Sequence, residues 1–265
     1  MPDSPGCALV TGASSGIGAE IAREYARRGV PLVLTARRVE RLDALAAELD
    51  AQVPVAVIPA DLADPAAPAA LVRELERRGL RVRILVNNAG YGVPGRYLAS
   101  DWQAHARFQQ VLVTAVAELT WRLLPSIRGC GNGRILNVAS FAALIPAADG
   151  QTLYAPAKAW LVRFSEALAL ENADRGVHVT ALCPGFTRSE FHDVTGTRAK
   201  MRVSAAMWLD AAKVARCGID ACERGRVLAV PGWRYRLLQA VFGLLPQRAA
   251  MAMMAKHSRK VRPLD

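Results

Sequence analysis

Tyr154 and Lys158, in the run Tyr154-Ala155-Pro156-Ala157-Lys158, stand four residues apart. On a helix that spacing puts a phenol and an ammonium on one face, a single turn apart. A free phenol ionises near pH 10 and is a poor base at neutrality. A neighbouring positive charge favours the phenolate. Lowering the pKa by about three units requires roughly 4 kcal/mol of differential stabilisation. Such a phenol can exchange a proton with a substrate oxygen near neutral pH. Pro156 confines the pair to the first turn of its helix, since proline deeper inside would kink it. By themselves the two residues read more readily as a common surface pair, so the chemistry depends on which elements carry them to a ligand.

A second group of residues suggests that ligand. Thr11-Gly12-Ala13-Ser14-Ser15-Gly16-Ile17-Gly18 follows the apolar run Cys7–Val10 and precedes Ile17–Arg28, where Ile17, Ile21, Ala22 and Tyr25 fall at helical spacing. A glycine-rich turn between strand and helix lets a phosphate approach bare backbone. The N–H groups of Ser14, Ser15, Gly16 and Ile17 and the positive helix end then face its charge. Gly12 serves the tight turn, Gly16 close approach and Gly18 helix–sheet packing. The spacing is G-x-x-x-G-x-G rather than the common G-x-G-x-x-G, and alone it also fits an ordinary glycine turn. About twenty residues on, where a dinucleotide site reads the adenosine ribose, the chain has Thr35-Ala36-Arg37-Arg38 and no acid. Arg37 and Arg38 can grip a 2′-phosphate that a carboxylate would repel. The expected cofactor is therefore NADP(H) rather than NAD(H); the plainer alternative is a solvated helix start. Asp61-Leu62 follows the third strand, where the carboxylate can accept from the adenine amine or simply cap a turn. With a nicotinamide in place, Tyr154 would move a proton while hydride moves.

The elements that must position these groups alternate along the chain. Strands are expected at Cys7–Val10, Pro31–Thr35, Val53–Ile58, Val82–Val86, Arg134–Val138, Val177–Leu182 and Arg226–Val230. Helices are expected at Ile17–Arg28, Val39–Leu49, Ala66–Arg78, Asp101–Leu124, Leu153–Asp174 and Asp210–Arg224. Nearly continuous Val/Ile/Leu strands separated by helices indicate a parallel sheet covered on both faces. Right-handed crossovers make it an α/β doubly wound fold. Ligands in such sheets bind beyond the carboxyl ends of the strands. Gly12–Gly18, Thr35–Arg38, Ala60–Leu62, Asn87–Gly90, Ala139–Ser140 and Cys183–Ser189 all lie at such ends and should line one crevice.

The 265 residues suit one large α/β domain or two small ones, and 52% hydrophobic content is ample for a core. No stretch reads as a secretory leader or as a bilayer span. Five cysteines without ligand-like spacing are expected to be reduced and mostly buried, in a cytoplasmic protein without a bound metal.

The order and strand positions of Thr11–Gly18, Asp61, Asn87-Asn88-Ala89-Gly90, Ser140, Tyr154 with Lys158, and Pro184-Gly185 resemble the short-chain dehydrogenases/reductases, up to about Val230. The resemblance implies a Rossmann-type fold with a seven-stranded parallel sheet and NAD(P)-dependent interconversion of carbonyl and alcohol. It assigns Tyr154 as proton donor or acceptor and Ser140 as the hydroxyl holding the substrate oxygen. Lys158 would bind the nicotinamide ribose and lower the tyrosine pKa. Asn88, Ala89 and Gly90 would pack along the cofactor. Pro184, Gly185, Thr187 and Ser189 belong to the segment that would contact the carboxamide, with Ser189 where the family usually has threonine. Arg37 matches the basic position of NADP-preferring members. There are three departures. Leu112 stands where the family commonly has an asparagine that helps hold a water below the lysine. The Ser140-to-Tyr154 loop is one residue longer than usual. Pro156 lies inside the Tyr-to-Lys segment.

The net charge is +11, and residues 226–264 carry eight basic residues and no acid. Residues 1–230 are read as one oxidoreductase domain and 231–265 as a basic, apolar extension. That extension would pack on the domain, on a partner subunit or on an anionic membrane surface. Substrate choice is expected in Tyr91–Trp102, Phe141–Gly150 and Phe191–Trp208. There Tyr91, Tyr97, Leu144, Ile145, Met201 and Trp208 suggest an apolar wall and a lipophilic ketone, aldehyde or alcohol. The resemblance implies a homodimer or homotetramer. A nucleotide-binding protein of low turnover, acting through partner or membrane contact, is the rival reading. Nucleic-acid binding lacks a recognisable module.

Overall fold

The computed structural model describes residues 6–93, 95–190 and 203–261, with side chains through residue 256. The stretch 191–202, including Met201, lies outside the described residues. The strands are β1 (Cys7–Thr11), β2 (Leu32–Thr35), β3 (Val55–Val57), β4 (Val82–Asn87), β5 (Arg134–Val138), β6 (His178–Leu182) and β7 (Leu228–Ala229). They form a seven-stranded sheet in the order β3-β2-β1-β4-β5-β6-β7, with every pairing parallel. The helices between them are α1 (Gly16–Arg27), α2 (Val39–Leu49), α3 (Ala67–Arg77), α4 (Trp102–Gln109), α5 (Ala115–Arg128), α6 (Tyr154–Glu171) and α7 (Ala211–Glu223). Two more, α8 (Trp233–Leu244) and α9 (Gln247–Val261), follow the last strand. This is the Rossmann-type doubly wound fold.

The strand period of two decides which helices cover which face. Ala8 and Val10 point to one face with Leu32, Leu34 and Val86, where α1, α2 and α7 supply Ile21, Leu42 and Ile219. Cys7 and Leu9 point to the other with Val33 and Leu85, where α3, α4 and α5 supply Leu71, Phe108 and Leu119. All five cysteines are unpaired thiols. Burial pushes Cys7 to about 11 and Cys222 to about 12.

Three elements differ from expectation, the first being the third strand, which is confined to Val55–Val57 rather than Val53–Ile58. The seventh strand is shorter than Arg226–Val230, because the Arg226 N–H is taken by the Ala221 carbonyl at the end of α7. The long fourth helix starts where expected, with Asp101 accepting from Ala104 N at 2.6 Å. Between α4 and α5, however, it passes through a π-helical turn at Gln110–Thr114. Such single π turns are rare and concentrate at functional sites.

Candidate functional site

The glycine turn leaves β1 and enters α1 with Gly12 at φ +65° and Gly16 at φ +56°. A Cβ on Gly18 would lie 2.4 Å from the Gly12 carbonyl oxygen, so the first turn of α1 can sit on the loop only without one. The turn is strapped to the end of β4. Thr11 Oγ1 donates to Val86 O at 3.0 Å and accepts from Asn88 N and Ala89 N at 2.9 and 3.0 Å. Asn88 Nδ2 donates to the Thr11 and Gly12 carbonyls. The side chains of Thr11 and Asn88 are thereby spent on shaping the loop. Ser15 is the extended N-cap of α1, makes no side-chain cap, and precedes Gly16, where the helix begins, with Ile17 next in its first turn. A bare turn at a helix N-terminus suits a pyrophosphate.

The two arginines after β2 behave differently. Arg37 is exposed. Arg38 folds back, with Nε and Nη2 donating to Ser14 Oγ at 3.3 and 3.1 Å and Nη2 to Ser15 Oγ at 2.8 Å. A guanidinium and two hydroxyls thus stand beside the turn, a donor set that fits a phosphorylated ribose. Asp61 Oδ1 accepts from Ala63 N at 3.1 Å, the local turn bond open to any such aspartate. Leu62 is buried beneath it. Burial pushes the Tyr91 phenol up, opposed by Arg107 and Arg37 and reinforced by Asp61, so Arg37 and Asp61 both lie within electrostatic reach of Tyr91.

Beyond the end of β5 lie the other candidate residues. Tyr154 opens α6, which puts Pro156 in the first turn, where its missing N–H costs no helical bond. Lys158 is 7% exposed and its Nζ donates to Val138 O at 2.7 Å, two residues before Ser140. The ammonium lies 5.9 Å from the centre of the Tyr154 ring. Burial pushes Lys158 down to about 8, with Cys183 acting weakly the other way. A Cβ on Gly90 would meet Leu112 Cγ at 3.7 Å and Lys158 Nζ at 3.8 Å. The motif after β4, the π turn and the lysine therefore meet at one point, and the side chain of Leu112 there is a hydrocarbon. Ser140 Oγ accepts from Ala142 N at 3.2 Å, and Phe141 N donates to Pro184 O at 2.8 Å, tying the two strand ends together.

Behind Lys158 a buried polar chain ties α6 to the sheet. Asn87 Nδ2 donates to Asn137 Oδ1 at 2.8 Å, Asn137 Nδ2 to Ser165 Oγ at 2.8 Å, and Ser165 Oγ to Leu161 O at 2.7 Å. Ser165 lies two turns beyond Lys158 on α6, so this chain fixes the helix that presents both candidate groups.

Three participants have no local signal in the sequence. Tyr235, on α8, is 3% exposed and its hydroxyl accepts from Phe186 N at 2.9 Å and donates to Met207 O at 2.8 Å. Its ring crosses Gly185 so closely that a Cβ there would fall 1.9 Å from Cζ, and it meets Phe141 edge-on at 5.0 Å. Thr187 Oγ1 donates to Gly185 O, and Thr187 bridges to Leu209. Ser189 crosses over the glycine turn, its Cβ 2.9 Å from where a Gly16 Cβ would be. The other two are Glu190, which pairs with Arg38, and the Val138 carbonyl, since any residue type supplies one.

Around the phenol the expected wall is divided. A small cavity of about 20 Å³ borders Tyr154, with Val93, Tyr97, Phe108 and Leu153 among its lining. Arg96, from that lining, donates through Nη2 to Asp149 Oδ2 at 3.2 Å. Tyr91 packs edge-on against Phe108, Tyr97 stacks on His105 and Trp208 lies against Phe186. Leu144 instead lines a larger cavity of about 560 Å³ between α6 and α8 that touches none of Ser140, Tyr154 or Lys158. The larger space is therefore not where the candidate chemistry sits.

Residues 6–199 match the family described as short chain dehydrogenase, and the chain belongs to that family. It is an NAD(P)-dependent oxidoreductase. Among curated relatives it is 38% identical over 190 residues to a sulfoacetaldehyde reductase of Chromohalobacter salexigens, covering 70% of this chain and 74% of that one. Among solved structures it is similar to a short-chain dehydrogenase from Sphingobium yanoikuyae in complex with NADPH, at 32% identity and TM-score 0.79, covering 91% and 97% of the two chains. It is also similar to a bulky-bulky ketone specific alcohol dehydrogenase from Comamonas testosteroni, at 30% identity and TM-score 0.74, covering 91% and 95%.

Proposed function

We propose that this chain is an NADP(H)-dependent reductase or dehydrogenase that interconverts a lipophilic ketone or aldehyde and its alcohol, with Tyr154 as the proton donor or acceptor. The packing of Lys158 against the Tyr154 ring, the Val138 carbonyl and Gly90, with Ser140 two residues beyond Val138, carries the reading. When bound, the nicotinamide supplies the hydride. Lys158 faces the inner end of the site as a buried cation beside the phenol, favouring the phenolate. Ser140 offers a hydroxyl to orient the substrate oxygen. Gly12, Ser14, Ser15, Gly16, Ile17 and Gly18 would hold the pyrophosphate, with Asn88, Ala89 and Gly90 alongside. Arg38 and Arg37 would hold a 2′-phosphate, Asp61 and Leu62 the adenine, and Pro184, Gly185, Thr187 and Ser189 the carboxamide. The NADPH complex of the Sphingobium relative supports the cofactor. Val93, Phe108 and Leu153 beside Tyr154, set among the polar Arg96, His105, Gln151 and Thr152, and the bulky-ketone specificity in the name of the Comamonas relative, support the substrate class. The family supports assembly into a homodimer or homotetramer. Exposed Trp233, Leu237, Val241 and Leu244 on α8 give the basic extension an apolar surface for a subunit or a lipid interface.

The test is NADPH oxidation over a panel of ketones and aldehydes with wild type and Tyr154→Phe. Loss of the proton donor should cost about 10²–10⁴-fold in kcat, while NADPH titration is unchanged. A rate unaffected by the substitution would reject Tyr154 as the donor. Leu112 favours a second reading, an NADPH-binding protein of low turnover, because a hydrocarbon there cannot hold a relay water. Saturable NADPH binding with no turnover across the panel would select it.

A further inference from the structure

Arg38 and Arg41 are engaged by an acid of the chain itself. Glu190 Oε2 accepts from Arg38 Nη1 at 2.9 Å, and Oε1 accepts from Arg41 Nη1 in a shorter contact. The remaining N–H groups of Arg38 rest on Ser14 and Ser15, as described above. One guanidinium thus touches both the glycine turn and an acid 152 residues further along the chain. Ser189, next to that acid, lies directly over Gly16. A carboxylate spanning two arginine forks has the geometry in which arginines take up a phosphate. The two arginines in turn hold the Glu190 carboxyl below the usual carboxylate range.

We propose that Glu190 is an internal competitor for the anion site formed by Arg38 and Arg41 beside Ser14 and Ser15, and that the 2′-phosphate of the cofactor displaces its carboxylate. This rests on the NADP(H) reading of the same site. Two anions cannot share one donor set without like-charge repulsion. The phosphate must therefore break two ion pairs before making its own. Arg38, Arg41 and Glu190 are 40%, 49% and 38% exposed, so solvent screening keeps that penalty modest. NADH brings a hydroxyl where NADPH brings a dianion, and leaves the Glu190 pairs in place. Glu190 therefore sets how strongly the chain prefers the phosphorylated cofactor.

The experiment is a fluorescence titration of wild type, Glu190→Gln and Arg38→Ala with NADPH and NADH at low salt, repeated calorimetrically with adenosine 2′,5′-bisphosphate and ADP. Glutamine keeps the shape of Glu190 and removes its charge. Glu190→Gln should bind NADPH and the bisphosphate about three- to tenfold more tightly, the size of two exposed ion pairs. Its affinity for NADH and ADP should change by less than about twofold, because neither ligand competes for the arginines. Arg38→Ala should weaken NADPH and the bisphosphate selectively. If Arg38→Ala leaves NADPH binding unchanged, the 2′-phosphate does not rest on Arg38 and the competition fails; if wild type binds NADH and ADP as tightly as NADPH and the bisphosphate, the NADP(H) reading fails with it. If Arg38→Ala weakens NADPH but Glu190→Gln leaves it unchanged or weaker, Glu190 is a buttress for the arginines and only the competition is overturned. Equal tightening of NADH and NADPH also overturns it, since the acid would then be a general obstruction.

Discussion

Lys158→Met separates what the buried ammonium costs the fold from what it does for the chemistry. Burial carries this lysine from 10.5 to about 8. At 1.36 kcal/mol per unit, the charged form costs the cofactor-free fold roughly 3 kcal/mol. Methionine matches the stem, removes the charge, and gives up a charge-assisted bond to Val138 O, worth about 1.5–3 kcal/mol. The variant should therefore be at least as stable at pH 7, by up to about 1.5 kcal/mol, or up to about 6 °C in Tm for a chain of this size. The sign with pH follows from proton counting. Between about pH 8 and 10.5 the unfolded wild type holds a proton that the folded wild type has released. Wild-type stability therefore rises with pH across that window relative to the variant. The advantage of Lys158→Met should be constant below about pH 8 and shrink as pH climbs toward 10.5. Thermal melts of both proteins without cofactor, at steps from pH 7 to 10.5, would read this directly, with NADPH oxidation measured in parallel and expected to be lost. A variant less stable than wild type at pH 7, or a gap that ignores pH, would refute the idea that the ammonium is held against a desolvation penalty.

Tyr235→Phe removes one hydroxyl and leaves Phe186 N–H and the Met207 carbonyl without it. That should cost about 1–3 kcal/mol, or about 2–12 °C in Tm, and weaken NADPH binding because the Pro184–Thr187 loop loses its brace; an unchanged NADPH titration would detach α8 from the site. Ser165→Ala breaks the buried chain at the α6 end and strands Asn137 Nδ2. A loss of about 1–3 kcal/mol in urea unfolding is expected, with kcat falling as α6 loosens, and full retention of both would show that packing alone positions the helix.

The architecture was legible because strand and helix periods are local. Val/Ile/Leu runs spaced by helical patterns give parallel strands, and every expected strand is present, with ends shifted by a few residues. The edges shifted most: β3 and β7, each with a neighbour on one side only, are the shortest strands. The residues that meet at the site were also legible, because the carboxyl ends of parallel strands face the same way. Ser140, Tyr154 and Lys158 belong to one stretch of chain after β5, and their spacing already places the phenol over the ammonium.

Contacts between distant segments were not legible. No periodicity distinguishes a helix with a π turn at Gln110–Thr114 from a straight one, because an extra residue per turn is decided by what the helix packs against. Arg37 and Arg38 are equivalent in the sequence. The fold separates them by turning Arg38 back onto Ser14, Ser15 and Glu190 and leaving Arg37 at the surface. Tyr235 lies 49 residues beyond Phe186, in a tail whose composition speaks only of apolar surface and positive charge. A side chain's type states which bonds it can make, and the sequence determines that list. Which bond it does make depends on which backbone groups the sheet order brings within about 3 Å, and only the tertiary structure decides that.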